Sequence, residues 1–275
     1  MNSALPNLAS DLSLFLELAA ASLYPTTLSA ARLIPIVWLA PTFGGRLLPL
    51  PARITLALGL SLVLAPPWTS EAVPLGLSFA LALTIEMLIG TALGLLASLP
   101  FELARASGHL IDVSRGAAMA QVIAPGLCDR ATPTGDILYL AILVALTAAG
   151  GDRLLILALA DGFVHLPPGA ALTLEGSGAI GKELIEATSA LLATALLLAA
   201  PPLIAALLAD LLLGVVGRVV PQLPLFFLGM PVKTVLGLLV VAFALGPILS
   251  AVFESGAEML ETILDLLCFL GGKGQ

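Results

Sequence analysis

Long apolar runs that proline and glycine interrupt limit this chain more than any other sequence feature. The run from Ala187 to Gly217 has 31 residues, which a continuous helix would extend over about 46 Å. Pro201 and Pro202 lie inside this run, and they predict a kink. Broken helices at membrane depth are tolerated only where other protein covers the freed backbone groups. The pattern predicts an all-α integral membrane protein of broken helices and helical hairpins that packs against other subunits.

The composition agrees with a membrane protein. Hydrophobic residues make up 59% of the chain and charged residues 11%, whereas soluble domains carry about 25% charged residues. The net charge of -7 is dispersed, and no basic stripe is present that would bind nucleic acid. Cys128 and Cys268 are too few for a disulfide framework, so we expect free thiols. The first residues lack a positively charged region, so we expect no cleaved signal peptide.

Several apolar segments differ in length and continuity. Ser29 to Pro41 is short, and Arg32 and Pro35 interrupt it, whereas Val73 to Leu99 is long enough to cross a bilayer. The last two apolar runs predict a long helical hairpin. The sequence after Leu99 predicts four further segments. They are a more polar stretch, a glycine-rich connection and the two hairpin helices, in this order: Pro100 to Pro133, Pro167 to Gly181, Ala187 to Gly217 and Val235 to Leu270.

The turn of this hairpin, PQLPLFFLGMPVK, is apolar and aromatic. A turn that meets water is normally polar, so we expect this one to pack against another protein. Arg218 and Lys233 flank the turn, and positive charges near helix ends favour the cytosol. The pattern predicts a cytoplasmic gate loop whose site residues are Gln222, Phe226, Phe227 and Lys233.

Glu86 and Asp210 are acids inside hydrophobic segments. A charge at the centre of a bilayer costs about 2.5 to 3.5 kcal/mol on insertion scales, so each acid should face protein or water. One interpretation is a proton or ion relay. We favour intramembrane polar contacts between subunits, because a relay usually shows a chain of such groups.

Asp112 and Arg115 lie three residues apart, a spacing that allows an ion pair on a helix. Such a pair contributes little to stability when it is exposed. A buried pair would fix the orientation of the apolar stretch that begins at Gly116.

Motifs of catalysis and cofactor binding have little support. Gly176 to Lys182 fits a phosphate loop, but Glu183 stands where that motif needs Ser or Thr, and no βαβ unit surrounds it. His109 and His165 have no metal-ligand spacing to Cys or to each other. We therefore expect no enzymatic activity, no cofactor and no metal site.

Three blocks resemble the T subunit of the type III secretion export apparatus, which is related to flagellar FliR. The blocks are RLIPIVWLAPTFGGRLLPLPAR, then FELARASGHLIDVSRGAAMAQVIAPG with the following TPTGDILYL, and PPLIAALLADLLLGVVGRVVPQLPLFFLGMPVK. The Asp112-x-x-Arg115-Gly116 signature looks more like the injectisome branch than the flagellar one. Cys128 and Asp129 depart from the pattern at the end of the second block.

The resemblance implies a core subunit of the protein-export gate in the bacterial inner membrane, multi-pass and projecting toward the periplasm. Residues 1–181 would form a part like the R subunit, and residues 182–275 a hairpin like the S subunit. Together with its partners the chain would wind into a helical pore complex. The implied partners are the R, S and U subunits (SctR, SctS and SctU), SctV, inner-rod or needle proteins, unfolded exported polypeptides and membrane lipid.

A conduit for an unfolded polypeptide needs an apolar constriction that dewets at rest. Met suits such a constriction because it is unbranched and easily rearranged. Met119, Val122 and Ile123 are the candidate pore-seal residues, with Asp112 and Arg115 as the anchoring pair. The alternative is that Met119 and Ile123, four residues apart, form one face of a packed helix.

Three alternative functions are considered for the sequence. The first is a flagellar export gate subunit of the FliR type. The second is a polytopic secondary transporter, for which the sequence shows no convincing inverted repeat. The third is an intramembrane protease, which needs a paired catalytic constellation that the sequence does not contain.

Overall fold

The structure is a computed structural model that describes residues 25–45, 48–64, 77–116, 133–169, 174–220, 222 and 225–270. Within these ranges every regular element is a helix. The prediction of an all-α fold is confirmed. Met119, Val122 and Ile123 lie outside the described residues, and so do the side chains of Phe226 and Phe227.

The described helices are numbered α1 to α7 in chain order. A short 3-10 turn, Pro41–Phe43, follows α1. The helices are α1 over residues 25–39, α2 Leu50–Leu64, α3 Leu77–Ser114, α4 Pro133–Ala148, α5 Gly151–His165, α6 Leu174–Val219 and α7 Leu225–Leu270.

Three of these helices are long and apolar enough to cross a membrane. The spans lie in α3, α6 and α7, and their mean hydropathies are 2.0, 2.3 and 2.5. A fourth span results if α4 and α5, which a bend separates, count as one broken span. Gly150, in the left-handed conformation, lies at that break. The chain is therefore a multi-pass membrane protein.

Two predicted helix boundaries are wrong, because the helices are longer than the sequence pattern indicated. The helix α3 continues through Pro100 to Ser114, where a change in polarity predicted a boundary. The helix α6 begins at Leu174, within the stretch that the sequence predicted as a glycine-rich connection. Proline and glycine are tolerated in membrane helices because neighbouring groups satisfy the freed backbone atoms.

The predicted gate loop is also largely helical. The helix α7 begins at Leu225, so Phe226 and Phe227 lie in its first turn, and Pro231 lies within it. Gln222 is exposed in the short connection that precedes this helix. The aromatic stretch is the beginning of a helix rather than an extended loop.

The short segment at Arg32 is a continuous helix as well. The helix α1 runs through both Arg32 and Pro35, which we expected to interrupt it. Arg32 is buried within the first of the two units described below.

The chain divides into two compact units. The first contains Met1–Ser98, Gly150–Leu184 and Met259–Gln275, and the second contains Leu99–Ala149 and Ile185–Glu258. Each unit draws on both sides of the predicted boundary between residues 181 and 182. That boundary stays a prediction, because packing within one chain does not test which stretch resembles which subunit.

In the first unit, α1 and α3 cross at very close range. A side chain at Gly90 would overlap the backbone carbonyl of Arg32, and one at Gly94 would lie 3.1 Å from the Cα of Ile36. Glycine at both positions lets the two backbones approach each other. The buried side chains around this crossing include Leu33, Ile36, Ile89, Leu93 and Leu96.

In the second unit, α3 and α4 cross at a pair of glycines. A Cβ at Gly135 would lie 2.9 Å from the carbonyl oxygen of Arg105, and one at Gly108 would overlap the backbone of Gly135. The guanidinium of Arg105 lies 4.3 Å from the ring centroid of Tyr139. The core of this unit consists of Phe101, Leu103, Ala104, Leu138, Ile142, Ala195, Ile248 and Val252.

The Gly90 crossing generates a test with a matched control. Gly90→Ala should destabilise the chain by about 1 to 3 kcal/mol, the usual effect of overpacking, because the added methyl overlaps the Arg32 carbonyl. Gly59→Ala adds the same methyl on α2, where no described atom lies within 4 Å. Melting temperatures of the two variants in detergent measure the difference. Equal melting temperatures would rule out the close approach.

Candidate functional site

The acids that we singled out in apolar segments, Glu86 and Asp210, both occur in ion pairs, and so does Asp112. Glu86 pairs with Arg32, Asp112 with Arg115 and Asp210 with Lys233. The first two pairs are buried, and the third is partly exposed. The first and third pairs each join two helices, and the second joins two through Thr134.

Arg32 and Glu86 form a bidentate pair between α1 and α3. The Nε of Arg32 donates to Oε2 of Glu86 at 2.6 Å, and its second terminal nitrogen donates to Oε1 at 3.0 Å. Both side chains are 1% exposed. A fork of two parallel hydrogen bonds fixes the relative orientation of the two helices as well as their distance.

The same pair also holds the chain that follows α5. The remaining terminal nitrogen of Arg32 donates to the carbonyl oxygen of Leu166 at 2.9 Å, and the backbone N–H of Gly169 donates to Oε1 of Glu86 at 2.8 Å. The guanidinium lies 4.9 Å from the ring centroid of Phe163. Each nitrogen of the guanidinium and each oxygen of the carboxylate therefore has a partner, which a buried ion pair requires.

The partners of Glu86 lie in this chain, whereas we expected its polar contact between subunits. Sequence reasoning singled out Glu86 and missed Arg32 as its partner. A signal was present, because Arg32 is also a charge in an apolar segment and needs an acid nearby. The sequence could not show which of the distant acids lies beside it.

Asp112 and Arg115 form the buried pair that their spacing predicted. Arg115 donates to a carboxylate oxygen of Asp112 and to the hydroxyl of Thr134. The other carboxylate oxygen of Asp112 accepts from the backbone N–H of Thr134 at 2.9 Å. We call Asp112, Arg115 and Thr134 the junction triad, because they join the end of α3 to the beginning of α4.

Local sequence explains this geometry. Gly116 has a φ of +79°, a conformation that favours glycine and commonly ends helices. Arg115 therefore lies in the turn that leaves α3, with its backbone N–H donating to the carbonyl of Ile111 at 3.2 Å. Thr134 lies in the first turn of α4, whose N–H groups have no partner within the helix. The Asp112 carboxylate satisfies one of them, and a negative charge is favourable at a helix N-terminus.

The junction triad flanks residues 117–132. Sequence reasoning found Asp112 and Arg115 and missed Thr134. The signal was the position of Thr134 directly after Pro133, a residue that often begins a helix. The anchoring role that we expected for the pair stays a prediction, because the pore-seal candidates lie outside the described residues.

Asp210 and Lys233 form an ion pair between the two hairpin helices. The carboxylate belongs to α6 and is 51% exposed, and the ammonium belongs to α7 and is 22% exposed. Leu207 and Leu211, on either side of Asp210, are exposed as well. The pair therefore joins the two hairpin helices and presents a polar group on an otherwise apolar surface.

The buried Arg32–Glu86 pair has an exposed counterpart for comparison. Glu86→Ala should destabilise the chain by about 3 to 5 kcal/mol, because it leaves the charge of Arg32 buried without its acid. Glu102→Ala removes an exposed acid that lies 3.1 Å from Arg105, and it should change the stability by less than about 1 kcal/mol. Thermal unfolding of the purified chain measures both effects.

Replacing both Arg32 and Glu86 tests whether the unpaired charge causes the loss of stability in Glu86→Ala. Arg32→Met with Glu86→Leu removes both charges and keeps apolar volume, so it should recover much of the stability lost in Glu86→Ala. A double variant as unstable as Glu86→Ala would show that the unpaired charge is not the cause.

Comparison with known proteins identifies the family of the chain. The sequence model of the family described as "Bacterial export proteins, family 1" matches residues 23–259. The chain is 32% identical to Yop proteins translocation protein T of Yersinia pestis over 163 residues, which is 57% of this chain and 60% of that protein. It is 30% identical to secretion system apparatus protein SsaT of Salmonella typhimurium over 57% of this chain and 60% of that protein.

The match to a flagellar protein has a lower identity than the matches to the two secretion proteins, but it covers more of the chain. The chain is 28% identical to flagellar biosynthetic protein FliR of Escherichia coli over 238 residues, which is 86% of this chain and 90% of FliR. The match to the two secretion proteins spans only 60% of their length. Because the family match covers most of the sequence and includes α1 to α6 and most of α7, the chain belongs to the family of bacterial export proteins, family 1.

Proposed function

We propose that this chain is a core subunit of the export gate of a type III protein secretion system and helps to form the protein-conducting channel. The family match over residues 23–259 carries this proposal. Apolar helices long enough to cross a membrane agree with it. The proposed role is structural and non-enzymatic, with the energy for export supplied elsewhere.

Two branches of the family are candidates, and we favour the secretion branch. The relatives at 32% and 30% identity carry the names of a translocation protein and a secretion apparatus protein. The Asp112-x-x-Arg115-Gly116 signature, buried in the junction triad, favours the same branch by its resemblance. The longer match to FliR favours a flagellar export gate as the second candidate.

The hairpin of α6 and α7 is the proposed surface for partner subunits. Only 22% of the apolar span in each hairpin helix is buried, compared with 39% of the span in α3. Asp210 is half exposed among exposed leucines, and a carboxylate in such surroundings needs protein or water beside it. These features favour neighbouring subunits over lipid at this position, and we propose the R, S and U subunits (SctR, SctS and SctU).

The wider assembly follows from the same proposal. SctV and the inner-rod or needle proteins would be further partners, and unfolded polypeptides would be the cargo. The chain would lie in the bacterial inner membrane and project toward the periplasm in the assembled complex. Residues 1–181 would take the place of an R-like part, and residues 182–275 that of an S-like hairpin.

The test of this function is the set of proteins that co-purify with the tagged chain in mild detergent. Mass spectrometry should find the R, S and U subunits. Phe226→Ser with Phe227→Ser should lower their yield at least about tenfold, because buried aromatic side chains often dominate interfaces. Leu62→Ser with Val63→Ser, which changes two exposed residues of α2, serves as the control. Recovery of the chain alone, or of flagellar subunits only, would contradict the proposal.

The seal is a separate proposal with its own measurement. Met119→Ala with Ile123→Ala should raise the permeability of cells to small ions, because shorter side chains leave a wider constriction that no longer excludes water. Met87→Ala with Leu88→Ala removes similar side chains from the exposed surface of α3 and should leave the permeability unchanged. An intact complex with wild-type conductance in the first variant would place the seal elsewhere.

A further inference from the structure

A glycine of α7 lies against the side chain of Arg115. A Cβ built on Gly237 would overlap Cδ of Arg115, and it would lie 2.7 Å from Cγ and 3.6 Å from Nε. All three of these nearest atoms belong to the one side chain. The backbone of α7 therefore covers the aliphatic part of Arg115 directly.

The Arg115 side chain is held at both ends, so it cannot simply move aside. Its backbone lies in the turn at the end of α3, and its guanidinium donates to Asp112 and to Thr134. Only 5% of the side chain is exposed. Any group added beside the middle of this side chain must displace the turn, the ion pair or α7.

A neighbouring contact fixes the register of α7 on α3. Val241, four residues after Gly237, packs with Ile111, which lies four residues before Arg115. Residues four apart lie on one face of a helix. The faces of α3 and α7 that meet therefore carry two contacts in succession, one apolar and one between a glycine and a charged side chain.

Other glycines of the hairpin have different surroundings. Apart from the helix to which Gly214 belongs, no described atom lies within 4 Å of a Cβ built on this residue. A Cβ on Gly256 would lie 3.2 Å from a terminal methyl of Leu146, which can rotate away. Of these positions, Gly237 is the one where a methyl group would meet a tethered charged side chain.

We propose that Gly237 is the positioning residue for Arg115, so that α7 holds the junction triad together. The glycine leaves room for the Cγ and Cδ of Arg115, and this path brings the guanidinium to Asp112 and Thr134. One side chain thus connects α3, α4 and α7. A shift of α7 along α3 would displace Arg115 and, through its hydrogen bond, Thr134, which lie on the two sides of residues 117–132. The hairpin is thus mechanically connected to the junction triad.

The Nε of Arg115 agrees with this arrangement. It is buried and has no hydrogen-bond partner among the described residues. Glycine brings no side-chain acceptor to this position. The hydrogen bonds to Asp112 and Thr134 both come from one terminal nitrogen of the guanidinium, so its position also depends on the shape of the surface that α7 presents.

A double-mutant cycle tests this inference on the full chain in detergent. Gly237→Ala should lower the melting temperature by about 5 °C, the shift expected for loss of a charge-assisted hydrogen bond in a chain of this size. Gly214→Ala, on the other helix of the hairpin, gains the same helix propensity without the overlap and should not melt earlier than the original chain. Arg115→Ala removes the atoms that the methyl group of Gly237→Ala would meet. The double variant should therefore have the same melting temperature as Arg115→Ala.

Additive losses in the double variant would overturn the inference, because they would mean that Gly237 packs independently of Arg115. Equal melting of Gly237→Ala and Gly214→Ala would overturn it too. If Arg115→Ala does not accumulate, hydrogen exchange of the Arg115 Nε–H decides, with its NMR signal assigned by loss in Arg115→Lys. Exchange should accelerate at least tenfold in Gly237→Ala and stay constant in Gly214→Ala. Unchanged exchange in Gly237→Ala would contradict the proposal.

The inference goes beyond the proposed function, and these measurements do not depend on export. A secretion assay on the same variants tests the export gate separately. Failure of the double-mutant cycle with normal secretion would remove the positioning role and leave the proposed function in place.

Discussion

The free-energy cost of a charge in apolar surroundings determines how this protein is organised. A helix that carries Arg32 or Glu86 cannot be buried in the chain unless the opposite charge lies beside it. The requirement selects which helices meet, because few partners exist in a chain with 11% charged residues. The Arg32–Glu86 pair joins α1 to α3, and the pair of Asp112 and Arg115 joins α3 to α4 through Thr134.

Glycine provides a close approach of the helices beside these polar contacts. The bidentate pair of Arg32 and Glu86 lies at the crossing of α1 and α3, where Gly90 removes the side chain that would keep the two backbones apart. Gly108 and Gly135 play the same part where α3 crosses α4. Small residues bring helices together without specifying a partner. The charges add that specificity, since they are satisfied in one arrangement only.

Sequence patterns predicted the helical class, the membrane character and the local pair of Asp112 and Arg115, because periodicity, composition and a spacing of three residues are local properties. They could not predict that Arg32 meets Glu86, 54 residues away, or that Gly237 lies against Arg115. These contacts depend on tertiary packing. The helix ends at Ser114 and Leu174 were misplaced for a related reason, since burial and partner groups decide whether proline and glycine end a helix.

The Arg32–Glu86 pair also has a consequence for the order in which the chain is made. Synthesis begins at the N-terminus, so Arg32 is present long before its acid, and the Leu166 carbonyl that it also binds follows 134 residues later. Until α3 emerges, α1 carries an unpaired cation, which is costly in the hydrocarbon core of a bilayer. We therefore expect α1 to take its final place together with α3 rather than before it. On this expectation the two helices assemble in one concerted step, in which the ion pair forms as they meet.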